Sequence, residues 1–425
     1  MQKNNERAAA YMAACDRECR RIYEALEATE RANTARVLAA FRKHRIGQRH
    51  FAPSTGYGYD DVGRDTLGEI FAELMGAECA LVRPQIASGT HALALALQGV
   101  LRPGDVLVSA AGTPYDTMQQ VIGTTGTAGQ GSLKEYGIGY REVALAPGGE
   151  PDLEGLQNAL DGQVRMVLLQ RSRGYAWRPS LSLPQIRRAA ELVRKTCPRA
   201  IVMVDNCYGE FTDTLEPGHV GCDLMAGSLI KNPGGGIAPG GGYVAGSREA
   251  VELVSYRLTC PGVGAEVGSW EAGYRPFYQG LFLAPHVTAQ ALKVSVLAAR
   301  VFAGLGYGVS PAFDAPRGDI IQAIRFGDPD SLIAFVRSIQ ACSPVDSEAV
   351  PEPCAMPGYE DPVIMAAGAF VAGSSIELSA DAPIRPPYTA YLQGGLTYAH
   401  GYLALQEAVE RLMDRGATLA GEGGR

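Results

Sequence analysis

The sequence predicts an α/β protein: a mostly parallel sheet in a large domain, followed by a smaller C-terminal α/β domain. Three observations carry this expectation. Seven short apolar segments alternate with helical patterns between Thr66 and Gly246, the pattern of a parallel sheet covered by helices on both faces. A glycine-broken stretch, PGVGAEVGSWEAGYRP (Pro261–Pro276), then precedes a long apolar helical run. Finally, 425 residues exceed what one hydrophobic core usually serves. The expected division is an N-terminal helical arm over 1–50, a large domain over 51–276, and a linking helix with a small domain over 277–425.

In chain order, Ala, Glu and Arg recur with helical period from about Asn5 to Lys43, predicting one or two helices in the arm. FAPSTGYGYDDVGRD (Phe51–Asp65) is rich in Gly and Tyr and reads as an irregular loop. The expected strands are CALVR (Cys79–Arg83), DVLVSA (Asp105–Ala110), REVALA (Arg141–Ala146), RMVLLQ (Arg165–Gln170) and AIVMVD (Ala200–Asp205). DLMAGSL (Asp223–Leu229) and GGYVAG (Gly241–Gly246) complete that set. A long helix is expected from about Tyr278 to Gly304, then strands in DIIQAIRF, AFVAG and SSIEL among further helices. The tail ATLAGEGGR reads as disordered.

Composition narrows the function classes. A net charge of −7, with no basic stripe, argues against nucleic acid or an anionic membrane as partner. No apolar run reaches the ~18 residues of a membrane span, and the start MQKNNERAAAYMAAC does not read as a signal peptide. Nine scattered cysteines without a CxxC argue against a disulfide framework or a metal site; Cys15 and Cys19 fall on one helix turn. A reduced, cytoplasmic protein is expected.

Three motifs carry chemistry. In PQIASGTHALALALQGV, Ser88, Gly89 and Thr90 precede a helix, where free backbone N–H groups and the helix dipole favour an anion. Taken alone they read equally as an N-cap, and His91 reads as a local hydrogen-bonding residue. In VDNCYGEF, Asp205 ends an apolar strand, where open α/β sheets place their ligands; on the motif alone a turn or cap residue is the plainer reading. In SLIKNPGGGIAPGGGYVAG, Lys231 comes before the glycines, whereas a P-loop places its lysine after them. Desolvation at a strand end is expected to depress the amine's pKa, as a Schiff-base lysine requires, while the glycines give a cofactor room. Phosphate site, aspartate and lysine, in that order, match a pyridoxal 5′-phosphate site.

Beyond these motifs, VDNCY followed by GCDLMAGSLIK resembles the cystathionine/methionine lyase group of fold-type-I pyridoxal-phosphate enzymes. STGYGYDDVGRD, RPQIASGTHA, QRSRGYAWRPSL, SLIKNPGGGIAP, YQGLFLAPHV and SSIELSADAPIRPPY resemble its methionine γ-lyase-like, or "aluminium resistance", branch. The resemblance implies the fold-type-I transferase fold, with Lys231 as the Schiff-base lysine and Asp205 on the ring nitrogen. It places the phosphate on Gly89 and Thr90 with Ser88 and Ser228, and stacks Tyr115 on the ring. Tyr59 would reach the phosphate of a neighbouring subunit, in a homotetramer built as a dimer of dimers with active sites shared across the dimer interface.

Three positions depart from that group. Asp61 stands where it has an arginine, with Arg64 as substitute; Ile230 replaces a threonine; and Tyr398 falls near its substrate-carboxylate arginine. Arg385 is the expected replacement for that last role, with Arg173 and Arg171 as weaker candidates for the cofactor's phenolic oxygen or the substrate. The implied activity is γ-elimination from a small γ-substituted amino acid. β-Elimination, γ-replacement, or a non-catalytic protein on the same fold are the alternatives.

Overall fold

The computed structural model describes residues 2–356, 359 and 361–419, the side chains of 2 and 3 excepted. Its helices are α1 (Gln2–Lys43), α2 (Val62–Met75), α3 (Gly89–Val100), α4 (Asp116–Ile122) and α5 (Leu153–Ala159). They continue with α6 (Leu183–Thr196), α7 (Arg248–Leu258), α8 (Arg275–Gly304), α9 (Pro329–Ala341) and α10 (Tyr398–Asp414). The strands of the larger sheet are β1 (Cys79–Arg83), β2 (Val106–Ser109), β3 (Gly139–Glu142), β4 (Val164–Gln170), β5 (Ile201–Asp205), β6 (Leu224–Ser228) and β7 (Gly242–Gly246).

This sheet runs β1-β7-β6-β5-β4-β2-β3, parallel throughout except for β7, which is antiparallel to both neighbours. β4 to β7 are buried along almost their whole length, which is why they read as continuous apolar runs rather than alternating ones. A second sheet, wholly antiparallel, runs β10 (Val363–Ala366), β11 (Ser379–Pro383), β12 (Thr389–Gln393), β9 (Gln322–Arg325), β8 (Gly308–Ser310).

The expected strands of the large sheet form within two residues of their predicted ends, with one exception. REVALA is a strand only at its start, as β3 lies at the edge and leaves the sheet after Glu142. AFVAG and SSIEL do not form strands. The Glu377 carboxylate accepts the amide protons of Phe370 (2.8 Å) and Val371 (2.9 Å), which a ladder would otherwise use. Gly373, at φ +80°, turns the chain between them. Ile376 and Leu378 are buried here without strand structure. The last part of the tail, 420–425, lies outside the described residues.

The arm is a single helix, α1, packed along α8, with Cys15 and Cys19 both buried on it. Contrary to the sequence-based expectation, α8 is long and apolar enough to cross a membrane, but 78% of its apolar window is buried inside the fold. It is the core helix joining the two sheets' regions, and its burial explains its composition.

Candidate active site

At the carboxyl ends of β4, β5 and β6 lies a cavity of about 240 Å³, lined by Ser88, Gly89, Thr90, Tyr115, Gln170, Asp205, Ser228 and Lys231 among others. Strand register sets its floor: Gln170 pairs with Asp205, and Asp205 with Ala226, two residues before Ser228. A larger cavity of about 990 Å³, elsewhere, is lined by Arg64, Arg83 and a mixture of acidic residues. Size does not decide between them; the smaller one alone brings an amine, a buried carboxylate and a helix N-terminus together.

Each group is fixed by local structure. Ser88 caps α3, its Oγ accepting from His91 N (3.0 Å), and His91 Nδ1 accepts from Ala87 N (3.0 Å). His91 is thus the local hydrogen-bonding residue expected of it. Gly89 sits in close approach: a Cβ there would meet Cys207 Sγ and Ser228 Cβ, both at 3.2 Å. Tyr115 shares a hydrogen bond with Thr90 Oγ1 (2.7 Å), and its backbone N–H donates to Gln170 Oε1 (3.0 Å). Burial first, then the nearby Asp205 carboxylate, raise the Tyr115 hydroxyl's pKa, so it stays protonated. Asp205 accepts from Cys207 N (3.1 Å); burial raises its pKa while Lys231 pulls it back.

The Lys231 ammonium sits 3.8 Å from the centroid of the Tyr208 ring. Burial lowers its pKa, as the sequence predicts, but Cys207, Tyr208 and Asp205 outweigh burial, and the net direction is well upward. Burial keeps the Cys207 thiol and the Tyr208 phenol protonated, and it raises the Asp205 carboxyl as well, which Lys231 pulls back. The net shift is thus opposite in direction to the depressed amine expected from the sequence, because the groups facing Lys231 oppose the effect of its burial.

The glycine loop also has a different purpose from the one expected. Gly234 is needed because a Cβ would lie 1.6 Å from Leu229 O, and a Cβ on Gly235 would lie 2.4 Å from Gly280 O of α8. Gly234, Gly235 and Gly236 do not line the cavity. They dock the loop on α8, while Asn232 donates to Tyr208 O (3.0 Å) and Glu210 O (2.9 Å), anchoring the residue beside Lys231.

Five predicted residues are not brought to this cavity within the chain. Arg171 lies 1% exposed, bonded to Asn206 Oδ1 (2.8 Å) and Thr212 Oγ1 (3.2 Å) and paired with buried Glu216 (3.5 Å). Arg173 donates to Ser310 O (2.6 Å) and Oγ (3.0 Å). Gln170, Ser172 and Gly174 line the cavity, while Arg171 and Arg173, in the irregular chain after β4, are turned away from it by their own partners. Arg64 is buried on Asp65 (2.7 Å) and the Gly58 carbonyl (2.8 Å). Arg385 pairs with Asp361 (2.9 Å) in an adjoining cleft of about 140 Å³, shared with Arg325 and Tyr391. Tyr59 is 64% exposed on its loop, its ring 5.4 Å from that of Tyr57.

Sequence reasoning missed Tyr175, Tyr208, Tyr359 and Asp381, which also line the cavity. A carboxylate inside the apolar run LSADAP was the available signal for Asp381.

A lysine and an aspartate at adjacent ends of a mostly parallel sheet, beside a capped helix N-terminus, define a pyridoxal-phosphate enzyme of the fold-type-I kind. The fold itself is shared with the pyridoxal-5′-phosphate-dependent protein YhfS of Escherichia coli, at 15% identity and TM-score 0.60 over 92% of this chain and 97% of that one. The chain belongs to the methionine gamma-lyase family, which matches it over residues 8–413. It is a lyase, and its cofactor is pyridoxal 5′-phosphate.

It is 51% identical to Bacillus subtilis YnbB over 394 residues, 93% of this chain and 94% of that one. A carbon-sulfur lyase involved in aluminum resistance from Clostridium novyi superposes with TM-score 0.93 at 48% identity, covering 97% of both chains. A Listeria monocytogenes structure, provisionally named a cystathionine beta-lyase involved in aluminum resistance, gives TM-score 0.93 at 47% identity over 95% and 99% of the two chains.

Proposed function

We propose that this chain carries out γ-elimination on a γ-substituted L-amino acid, expelling a thiolate or a halide. One observation carries the reading: Lys231, Asp205, Tyr115 and the N-terminus of α3 line a single cavity at the strand ends. The residues present fit the cofactor. Backbone N–H groups of Gly89 and Thr90, with Ser88 and Ser228, would hold the phosphate where the helix dipole favours an anion. Asp205 would hold a proton on the ring nitrogen, and Lys231 Nζ would hold the aldehyde carbon. Ile230 lines the same cavity and offers no hydroxyl, so the phosphate has one donor fewer than in the better-known lyases.

When bound, the cofactor supplies an electron sink for charge developing on the substrate. Lys231 Nζ takes the proton from the substrate's Cα and moves protons at Cβ. Tyr115 Oη, oriented by Thr90 and kept protonated, donates toward the departing group. The Tyr208 ring packs over the amine and excludes water from that side. The same residues serve elimination at Cβ, and the name of the Listeria structure favours that second reading. We further place Tyr59, exposed on its loop, at the phosphate of a neighbouring subunit in a dimer of dimers.

The test is incubation of the holoenzyme with γ-substituted and β-substituted amino acids, reading keto acid and ammonia. Release from γ-substituted substrates is expected. Turnover of β-substituted substrates alone would select the second reading, and turnover of neither would overturn both.

A further inference from the structure

The wall facing the cofactor groups has a composition that the reaction does not require. Asp381 is the one member of β11 that is not fully buried, because it opens into the cavity between buried Ala380 and Ala382. Gln393 Nε2 donates to its Oδ2 (2.7 Å), which fixes the carboxylate from behind. Around it stand aromatic rings: Tyr175 and Tyr359 lie 5.6 Å apart, Tyr175 stacks on Tyr391 at 5.1 Å, and Tyr208 closes the side toward Lys231. The residues lining the cavity also include the carboxylates of Asp116 and Asp205 but, among the described residues, no arginine.

A fixed carboxylate among electron-rich ring faces is an arrangement that attracts cations and repels anions. The Lys231 Nζ lies 3.8 Å from the Tyr208 ring centroid, so that ring turns its face into the cavity. A carboxylate in this cavity that faced an apolar side chain would lose solvent without gaining a counter-charge, at a cost in binding. We propose that Asp381, with Tyr175 and Tyr359, is the specificity determinant for the substrate side chain, and that it selects amino acids carrying a cationic group beyond the sulfur. This rests on the reading of the cavity as the substrate site. Asp381 recognises the side chain and takes no part in bond breaking.

The test uses thioether amino acids matched in shape, S-(2-aminoethyl)-L-cysteine against S-propyl-L-cysteine, with the corresponding homocysteine pair. Affinity for the holoenzyme is read by rapid-mixing titration of the bound cofactor's absorbance, before product accumulates. The ammonium member of each pair is expected to bind about tenfold tighter. Asp381→Asn collapses that ratio toward one, and Tyr359→Leu, in case the first variant does not fold, reduces it severalfold. Equal binding of the two members by the parent, binding of neither, or an unchanged ratio in a folded Asp381→Asn protein would overturn the proposal. The visible colour of the bound cofactor, measured on the same samples, separates these results from a failure of the cofactor site itself.

Discussion

The floor of the cavity and the wall opposite it come from different parts of the chain and follow different rules. The floor is built at the ends of β4, β5 and β6, where each functional group sits within a few residues of a strand and its turn. The wall takes Asp381 from β11 of the antiparallel sheet and Tyr359 from the segment between β10 and the preceding helix. Floor groups are positioned by local geometry: Ser88 caps its own helix, and Asn232 ties down the residue after Lys231. Wall groups depend on two sheets meeting. The comparison separates cofactor chemistry, held locally, from side-chain selection, held by tertiary structure.

The most damaging change should be to the floor. Asp205→Ala removes the charge expected at the ring nitrogen, and turnover should fall by on the order of 10² to 10³-fold with the cofactor still bound. A fall of less than about threefold in a kinetic assay would separate Asp205 from the chemistry. Beneath the floor, Arg171→Met leaves Glu216 buried without its cation. The expected loss is about 3–5 kcal/mol in denaturant unfolding, because an uncompensated buried charge is costly. An unaltered transition would mean that the Arg171 network does not support the turn after β5.

Glu210 gives a pH signature of that same floor. Burial, first among its causes, raises its carboxyl from 4.5 to about 8, and its Oε1 accepts from Tyr243 (2.8 Å). Between those values the folded chain keeps a proton that the unfolded chain has released, so stability falls as pH rises through that window. Glu210→Gln should flatten the fall in Tm between those limits, and a slope identical to the parent's would contradict the assignment. The smallest effect is expected on the wall's outer side. Arg385 is 47% exposed and paired with Asp361, so Arg385→Ala should cost under about 1 kcal/mol of stability. If the substrate's carboxylate does reach that cleft, KM rises while Tm stays put.

The floor was legible because its residues announce themselves by position: an aspartate closing an apolar strand, a lysine one strand later, small residues at a helix start. The sequence also indicated the parallel sheet, since burial on both faces leaves uninterrupted apolar runs. The direction of the Lys231 shift was not legible, because it depends on Cys207, Tyr208 and Asp205, which face the amine only once β5 and β6 pair. The glycines after Lys231 misled for a related reason: their partner is the backbone of α8, remote in sequence. AFVAG looked like a strand by composition, yet Glu377 supplies its amides with the acceptors a neighbouring strand would have given, and the strand begins only at Ser379. Asp381 then reaches the cavity through a register that no local pattern records.

The central claim, that Lys231 holds the cofactor, is tested most directly by borohydride reduction of the holoenzyme and mass mapping of its peptides. The account predicts the cofactor's mass on the peptide containing Lys231, and neither that mass nor visible colour in Lys231→Ala. Cofactor fixed on another lysine, or colour that persists in the Lys231→Ala protein and bleaches with borohydride, would contradict it.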